Sequence, residues 1–592
     1  MHFRFRYRVL IPLVLTFCLL AGCSAPASLT PAKSTETALS FDDFSEQFFR
    51  TEIASNTINL HFTLTNPENY GITDAPISLG NLSAQSADES RAALENTLAV
   101  LETFDYDKLS VRQQLDYDIL SDSLHTATAA SDLALYDEIL RPSTGIQAQL
   151  PILYEEYRFY EKEDVEDYLE LIALTDSYFE EIIAFERRKA AAGLFMSDFA
   201  CDNLISQCET FVKNPEEHYL IVTFNNKLAE MTDLSDAERA DYQAKNETLV
   251  RENILPAYEK LANALTELLG SGTNDAGLCH LPKGKEYYEH LVRYNTGSGK
   301  SVREIQRMVE EQCSSDLAAA SALMLASPTL ATECNSVRLD GMDSVATLHL
   351  LQEQMLAHFP AAPDTEFTVS YIDECMEDYM APAFYITAPI DNYEKNSIFI
   401  NASTDPTTMR HFTTLAHEGF PGHLYQTVMS YEAGLSPLRS VLNYPGYVEG
   451  WATYVEMLSY HYAGLEEDVA SLMSLNQSAL LSLYAATDLG IHYDGWSFSD
   501  VLAFWADYGI TDRDSLRDVY ELIVEEPAHY LKYYVGYLEF LELKEEAKKR
   551  YGDAYSDVAF HRAILAIGPA PFPIVEKYLD TYYLVDQTPS TE

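Results

Sequence analysis

Cysteine is scarce in this chain and nowhere closely paired. Eight occur in 592 residues, and no two stand in a Cys-x-x-Cys step, which argues against a zinc site built on thiolates. Basic residues are also few: 39 Lys and Arg face 92 Asp and Glu, a formal charge of −53. Such a field repels phosphate backbones and anionic membrane surfaces, so nucleic acid is excluded as an expected partner. No internal repeat of fixed period is present, which sets aside solenoids and propellers. The conspicuous apolar run, Leu10 to Leu20, falls short of the roughly 20 residues a membrane-spanning helix needs. What is there in quantity is apolar residue, 47% of the chain, enough to fill a large core.

The short apolar run has a meaning of its own. Arg4, Arg6 and Arg8 precede it, and Leu20-Ala21-Gly22-Cys23 closes it. A basic start, a brief apolar stretch and small residues at a cleavage point make a secretory signal. The Leu-Ala-Gly-Cys ending resembles the bacterial lipoprotein signal. That resemblance implies a signal peptide over 1–23, with Cys23 lipidated as the mature N-terminus and the protein held to a membrane outside the cytoplasm. Residues 24–40, rich in Ser, Thr, Ala and Pro, read as a flexible tether. Export permits disulfides, for which Cys201 and Cys208 are the nearest pair; free buried thiols are the equal alternative.

Beyond the tether the pattern is mostly amphipathic helix. Leu94, Leu98 and Leu101 fall on one helical face, as do Val165, Tyr168, Leu169 and Ile172. Lys544 to Arg550 reads as the exposed end of a helix begun near Tyr534. Asn66-Pro67, Arg141-Pro142-Ser143, Gly270-Ser271-Gly272 and Gly297-Ser298-Gly299 mark loops, and a subdomain boundary near 270 is weakly signalled. Phe384 to Asn401 is the convincing extended segment, with Ile398-Phe399-Ile400 as its β-prone centre. The expectation is a mainly α fold with a small β-sheet.

Chemistry concentrates in Leu415-Ala416-His417-Glu418-Gly419-Phe420-Pro421-Gly422-His423. A catalytic zinc takes three protein ligands and keeps one position open; a glutamate beside the first histidine can act as base toward water. His417, Glu418 and His423 supply those types. Their spacing is unusual. In the common His-Glu-x-x-His motif the histidines share a helix face, whereas these stand six apart. Six residues turn a straight helix by about 600°, leaving the rings about 120° off a common face. Pro421 and Gly422 offer a kink or bulge that swings His423 back. The third ligand should be a later carboxylate. Tyr447-Val448-Glu449-Gly450-Trp451-Ala452-Thr453-Tyr454-Val455-Glu456 begins 24 residues after His423. Glu449 is preferred as the ligand, with Glu456 as hydrogen-bond partner of a ligand histidine; a plain surface role is the alternative for each. Ile398 to Asn401 is a candidate edge strand for pairing an extended peptide, or simply a buried strand.

His-Glu-Gly-Phe-Pro-Gly-His followed by Glu-Gly-Trp-Ala-Thr-Tyr-Val-Glu resembles the bacterial domain-of-unknown-function 885 family, grouped with gluzincin-like metallopeptidases. The resemblance runs from about 41 to 585 and takes in Leu281-Pro282-Lys283-Gly284-Lys285-Glu286-Tyr287-Tyr288, Asp488-Leu489-Gly490-Ile491-His492 with Gly495-Trp496, and Phe560-His561. It implies one helical zincin-like catalytic domain over 41–585, with a zinc (Zn2+) site at His417, His423 and Glu449. Glu526-Pro527-Ala528-His529-Tyr530-Leu531-Lys532-Tyr533-Tyr534-Val535-Gly536 resembles the family's Pro-Gly-Gln-Ala-Leu-Ser-Tyr-Lys-x-Gly element. Pro527, Tyr533 and Gly536 match it, whereas Ala528, His529, Lys532 and Tyr534 depart. In related peptidases a Tyr or His steadies the oxyanion, so Tyr533 is the first candidate and His529 the second. Which group meets a substrate carboxylate, Lys532 or another, is open. His411, His461 and His492 are read as structural.

These expectations add up to zinc-dependent hydrolysis of peptide bonds in short peptides at the outer cell surface, with Glu418 as general base. The alternatives are a surface lipoprotein that binds peptide or metal without catalysis, and an amidase acting on cell-wall peptides.

Overall fold

The structure, a computed structural model, describes residues 39–339, 341–372 and 382–584. Cys23, the signal peptide, nearly all of the tether and Cys375 lie outside these residues. The helical expectation holds for the described chain, which runs as a succession of helices from Phe41 to Leu584 around one three-stranded sheet. Periodicity located the long elements well. The Val165 to Ile172 face belongs to a helix over Lys162–Ala191, and Leu94, Leu98 and Leu101 to one over Ala84–Leu101. Among the described residues, no single helix is long and apolar enough to cross a membrane.

Two large apolar clusters carry the packing. One gathers residues from Ile58 to Leu265, together with Phe384 and Ile386 of the sheet. The other draws on Phe41 to Tyr136 and then on much of the chain from Leu278 to Tyr583. The sheet lies between them in the literal sense that its strands contribute to both: Phe384 and Ile386 face the first cluster, Ala383 and Tyr385 the second, as alternation along a strand requires.

Strand β1 is Glu366–Tyr371, β2 is Ala383–Ile386 and β3 is Lys395–Ile400. Their order is β1-β3-β2, with β1 parallel and β2 antiparallel to β3. This corrects the edge-strand expectation. Ile398, Phe399 and Ile400 belong to the central strand, whose hydrogen-bonding groups on both sides are taken, so no peptide can add there. The strand beside the histidine motif is β2, and no further strand flanks it among the described residues.

Five helices build the site: α1, Met409–Glu418; α2, His423–Glu432; α3, Pro445–Ser459; α4, Glu467–Leu489; and α5, His529–Tyr551. Helix α5 starts five residues before the expected Tyr534. Its first turn is fixed from outside: Ala528 has φ 62°, and its N–H donates to the buried Asp488 of α4 at 3.1 Å.

Cys201 and Cys208 are not bonded to each other; both are buried thiols on a helix over Asp198–Phe211. Seven residues of helix separate them by about 10 Å, beyond the ~7 Å that a disulfide bridges. Burial pushes each thiol up to about 12.

Candidate metal centre

The histidine motif forms two helices rather than one bent helix. Helix α1, capped by the Thr408 hydroxyl, ends at Glu418, and α2 begins at His423. The four residues between them fold back tightly, with a cis bond between Phe420 and Pro421. Gly422 is needed for space: a Cβ there would lie 1.8 Å from the carbonyl oxygen of His417, far inside contact distance. The turn is pinned to α3 by the Trp451 indole, whose Nε1–H donates to the Pro421 carbonyl at 2.9 Å. The break therefore does what a kink was expected to do, by a different route. The two imidazole centroids are 4.8 Å apart, their planes at 79°.

Helix α3 brings the carboxylate. Glu449 Oε2 lies 3.6 Å from His417 Nε2 and 3.5 Å from His423 Nε2. One donor atom from each of the three residues falls within 4.8 Å of the other two. All three side chains are buried, and the Nε2 atoms of His417 and His423 have no hydrogen-bond partner. Two turns along α3, Glu456 Oε2 lies 3.2 Å from His417 Nδ1, fixing the ring so that Nε2 faces Glu449.

Glu418, beside His417, is buried as well. Its Oε2 accepts the backbone N–H of Tyr385 in β2 at 3.0 Å, and its Oε1 is buried with no partner. Burial, with the nearby Glu449 and Glu456 charges, pushes its pKa up to about 8, against the pull of His417 and the Tyr385 N–H. Burial alone would lower His417, but Glu449 and Glu456 outweigh it and raise it to about 10. Burial lowers His423, although Glu449 opposes this. Glu449 is held well below the usual carboxylate range: burial raises it, but Lys532 and the two histidines overcome that.

Helix α5 closes the far side. It crosses α3 at a point where both backbones carry only hydrogen. A Cβ on Gly450 would lie 2.5 Å from Gly536 Cα, and one on Gly536 would lie 2.1 Å from the Gly446 carbonyl oxygen. Through this contact Lys532 Nζ comes to 3.4 Å from Glu449 Oε1, and the Tyr533 ring centroid to 6.4 Å from that of His417. His529 is 5.7 Å from the Tyr533 ring and pairs through Nδ1 with Glu526 Oε2 at 3.2 Å. Burial and then Lys532 lower its pKa to about 4, so it is neutral at ordinary pH. Lys532, left open by the sequence, meets the Glu449 carboxylate.

The structure therefore brings His417, His423, Glu449, Glu418 and Glu456 together, with Tyr533 and His529 beside them. Cys23 lies outside the described residues. His411 bonds Ser344, His461 pairs with Glu467, and His492 links the Leu278 N–H to the Ile523 carbonyl; each has a structural contact. Sequence reasoning missed the Tyr385 amide, Glu526 as the partner of His529, and Asp488 as the anchor of α5. Asp488 and Glu526 were visible only as members of longer motifs, and a backbone amide leaves no mark in a sequence.

Comparison with known proteins shows that the fold recurs. A candidate lipoprotein from Colwellia psychrerythraea has a similar structure, with a TM-score of 0.79 at 17% identity, covering 93% of this chain and all (100%) of its own. A second, a candidate lipoprotein of unknown function from Shewanella oneidensis, has a TM-score of 0.62 at 16% identity over 92% of this chain and 100% of its own. At such identities the likeness is one of fold. No curated protein matches the chain in sequence. The family described as bacterial protein of unknown function (DUF885) matches residues 68–579, nearly the whole described length, and the chain belongs to that family.

Proposed function

We propose that this protein is a zinc-dependent peptidase of the zincin type, acting on short peptides outside the cytoplasm from a lipid anchor at Cys23. The observation that carries the reading is the meeting of one ligand atom each from His417, His423 and Glu449 within 4.8 Å of one another, with Glu418 buried close enough to respond to the His417 and Glu449 charges. Two buried histidine nitrogens without partners and one carboxylate are a donor set that suits zinc. Zinc held there would supply Lewis acidity toward a carbonyl and toward water.

The chain's own residues divide the remaining work. Glu418 Oε1 is the proton acceptor for an attacking water, and the Tyr385 N–H holds the other oxygen still. Glu456 fixes the His417 tautomer. The Tyr533 hydroxyl is the candidate donor to the oxyanion, while His529, oriented by Glu526, is the second. Strand β2, which no further strand flanks among the described residues, is the strand against which an extended substrate can lie, beside the Tyr385 N–H that serves Glu418. Binding without catalysis needs no carboxylate in the place of Glu418, which favours hydrolysis over simple capture.

The test is metal analysis of purified protein with a quenched-peptide library and, in parallel, muropeptides. Zinc-dependent peptide cleavage that Glu418→Gln abolishes while zinc stays bound is the expected result. Full activity in that variant, or no metal at the site, overturns the reading.

A further inference from the structure

Helix α5 carries Lys532 at a height fixed from both sides. Four residues before it, the Ala528 N–H is held by Asp488 of α4. Four residues after it, Gly536 lies against Gly446 and Gly450 of α3, with no room for a Cβ on Gly450 or Gly536. Residues four apart share a helix face, so Lys532 looks toward α3 as Gly536 does, and Gly450 is the neighbour of Glu449. The Lys532 side chain is 13% exposed, with Nζ 3.4 Å from Glu449 Oε1 and 5.0 Å from the centre of the Tyr533 ring.

Glu449 therefore divides its two oxygens. Oε2 faces the histidines, 3.6 Å from His417 Nε2 and 3.5 Å from His423 Nε2, while Oε1 faces an ammonium. The carboxylate is 1% exposed, so water and salt screen the pair little. Lys532 is also the foremost influence that holds Glu449 below the usual carboxylate range against its burial. Zinc takes a carboxylate oxygen at about 2.0–2.2 Å. For both oxygens to come that close, the carboxylate has to turn Oε1 from the ammonium to the ion and give up a buried ion pair.

We propose that Lys532 is a positioning residue: by holding Glu449 Oε1 it makes Glu449 a one-oxygen ligand and keeps a coordination position open for water. The proposal deepens the zinc reading and rests on it. Its purpose follows from coordination chemistry. Catalytic zinc sites combine three protein donors with one open position, and a further carboxylate oxygen would compete for that position and soften the ion's pull on water.

Cobalt(II) in place of zinc reports the number of donors, because its visible absorption weakens as coordination rises from four to five. The full mature protein, freed of metal and given one equivalent of cobalt, is expected to show the strong bands of a four-donor site, and His423→Ala to lose them. Lys532→Met, which keeps the length of the side chain and loses the ammonium, should lose intensity per bound ion, whereas Lys532→Arg should keep the parent's spectrum. A merely structural defect would lower the amount of cobalt bound and leave the intensity per bound ion unchanged. Lys532→Gln is the second variant should Lys532→Met lose its cooperative melting, with the same loss of intensity expected. Weak five-donor bands in the parent, or an intensity per bound ion in the variant equal to the parent's, overturn the proposal. The two readings fail separately: a parent that binds neither cobalt nor zinc through His423 removes the metal centre, and bound metal with an unchanged spectrum in Lys532→Met removes only the positioning role.

Discussion

Glu456 and His417 form a hydrogen bond of 3.2 Å across the start of the site, from the same helix that supplies Glu449. One helix thus presents both the carboxylate that faces His417 and His423 and the carboxylate that orients the His417 ring. Glu456→Gln should keep the fold and weaken zinc affinity by about 10–100-fold, the usual loss when such a partner is removed. Competition with a graded zinc chelator measures it, and an unchanged affinity would show that the contact does not orient the ring.

Zinc held by His417, His423 and Glu449 would join α1, α2 and α3, so it should stabilise the native state by mass action. Saturating zinc is expected to raise the melting temperature, and a chelator to reverse the rise. His423→Ala should abolish the zinc-dependent increment while leaving a cooperative transition. A rise that persists in that variant places the ion elsewhere.

Under the proposed peptidase reading, Tyr533 and His529 would divide the oxyanion role unequally. Tyr533→Phe should lower kcat by about 10²–10³-fold, as expected for loss of one donor to the oxyanion, with zinc content unchanged. His529→Ala should cost less. The reverse order in steady-state kinetics would reassign the donor.

Asp488 should impose a distinctive pH dependence on stability. Burial pushes its pKa from 3.8 up to about 7, against the Tyr288 hydroxyl and the Ala528 N–H that bond its carboxylate. The fold therefore binds a proton there more tightly than the unfolded chain does. That contribution is complete below about pH 4 and is lost as pH rises through about 7, at about 1.4 kcal/mol per unit of difference. Asp488→Asn keeps an acceptor oxygen and cannot ionise. Relative to the parent, its melting temperature should gain between pH 4 and 8, and a parallel pair of curves would refute the assignment.

Much of the site was legible because its residue types lie in short local motifs. His417, Glu418, His423 and Glu449 could be picked out from chemistry and order alone. What spacing could not tell was how His423 returns to His417. A kinked helix and a broken one both satisfy a Pro-Gly step, and the choice depends on Trp451 holding the Pro421 carbonyl from 30 residues away. The sheet shows the same limit. Phe367, Val369 and Tyr371 alternate as a strand should, but their pairing with β3 is a long-range fact, and only that pairing makes β3 central. The start of α5 was misread because Ala528 carries a left-handed φ that nothing in its side chain announces.

Gly446, Gly450 and Gly536 carry a lesson for anyone who would transplant this centre. The gap between the ligand-bearing helix and the helix of Lys532 and Tyr533 is gauged by methyl groups that are missing. A host bundle given every ligand but ordinary alanines at this crossing would hold the second helix off like a shim under a door. The notch has to be copied before His417, His423 and Glu449 are.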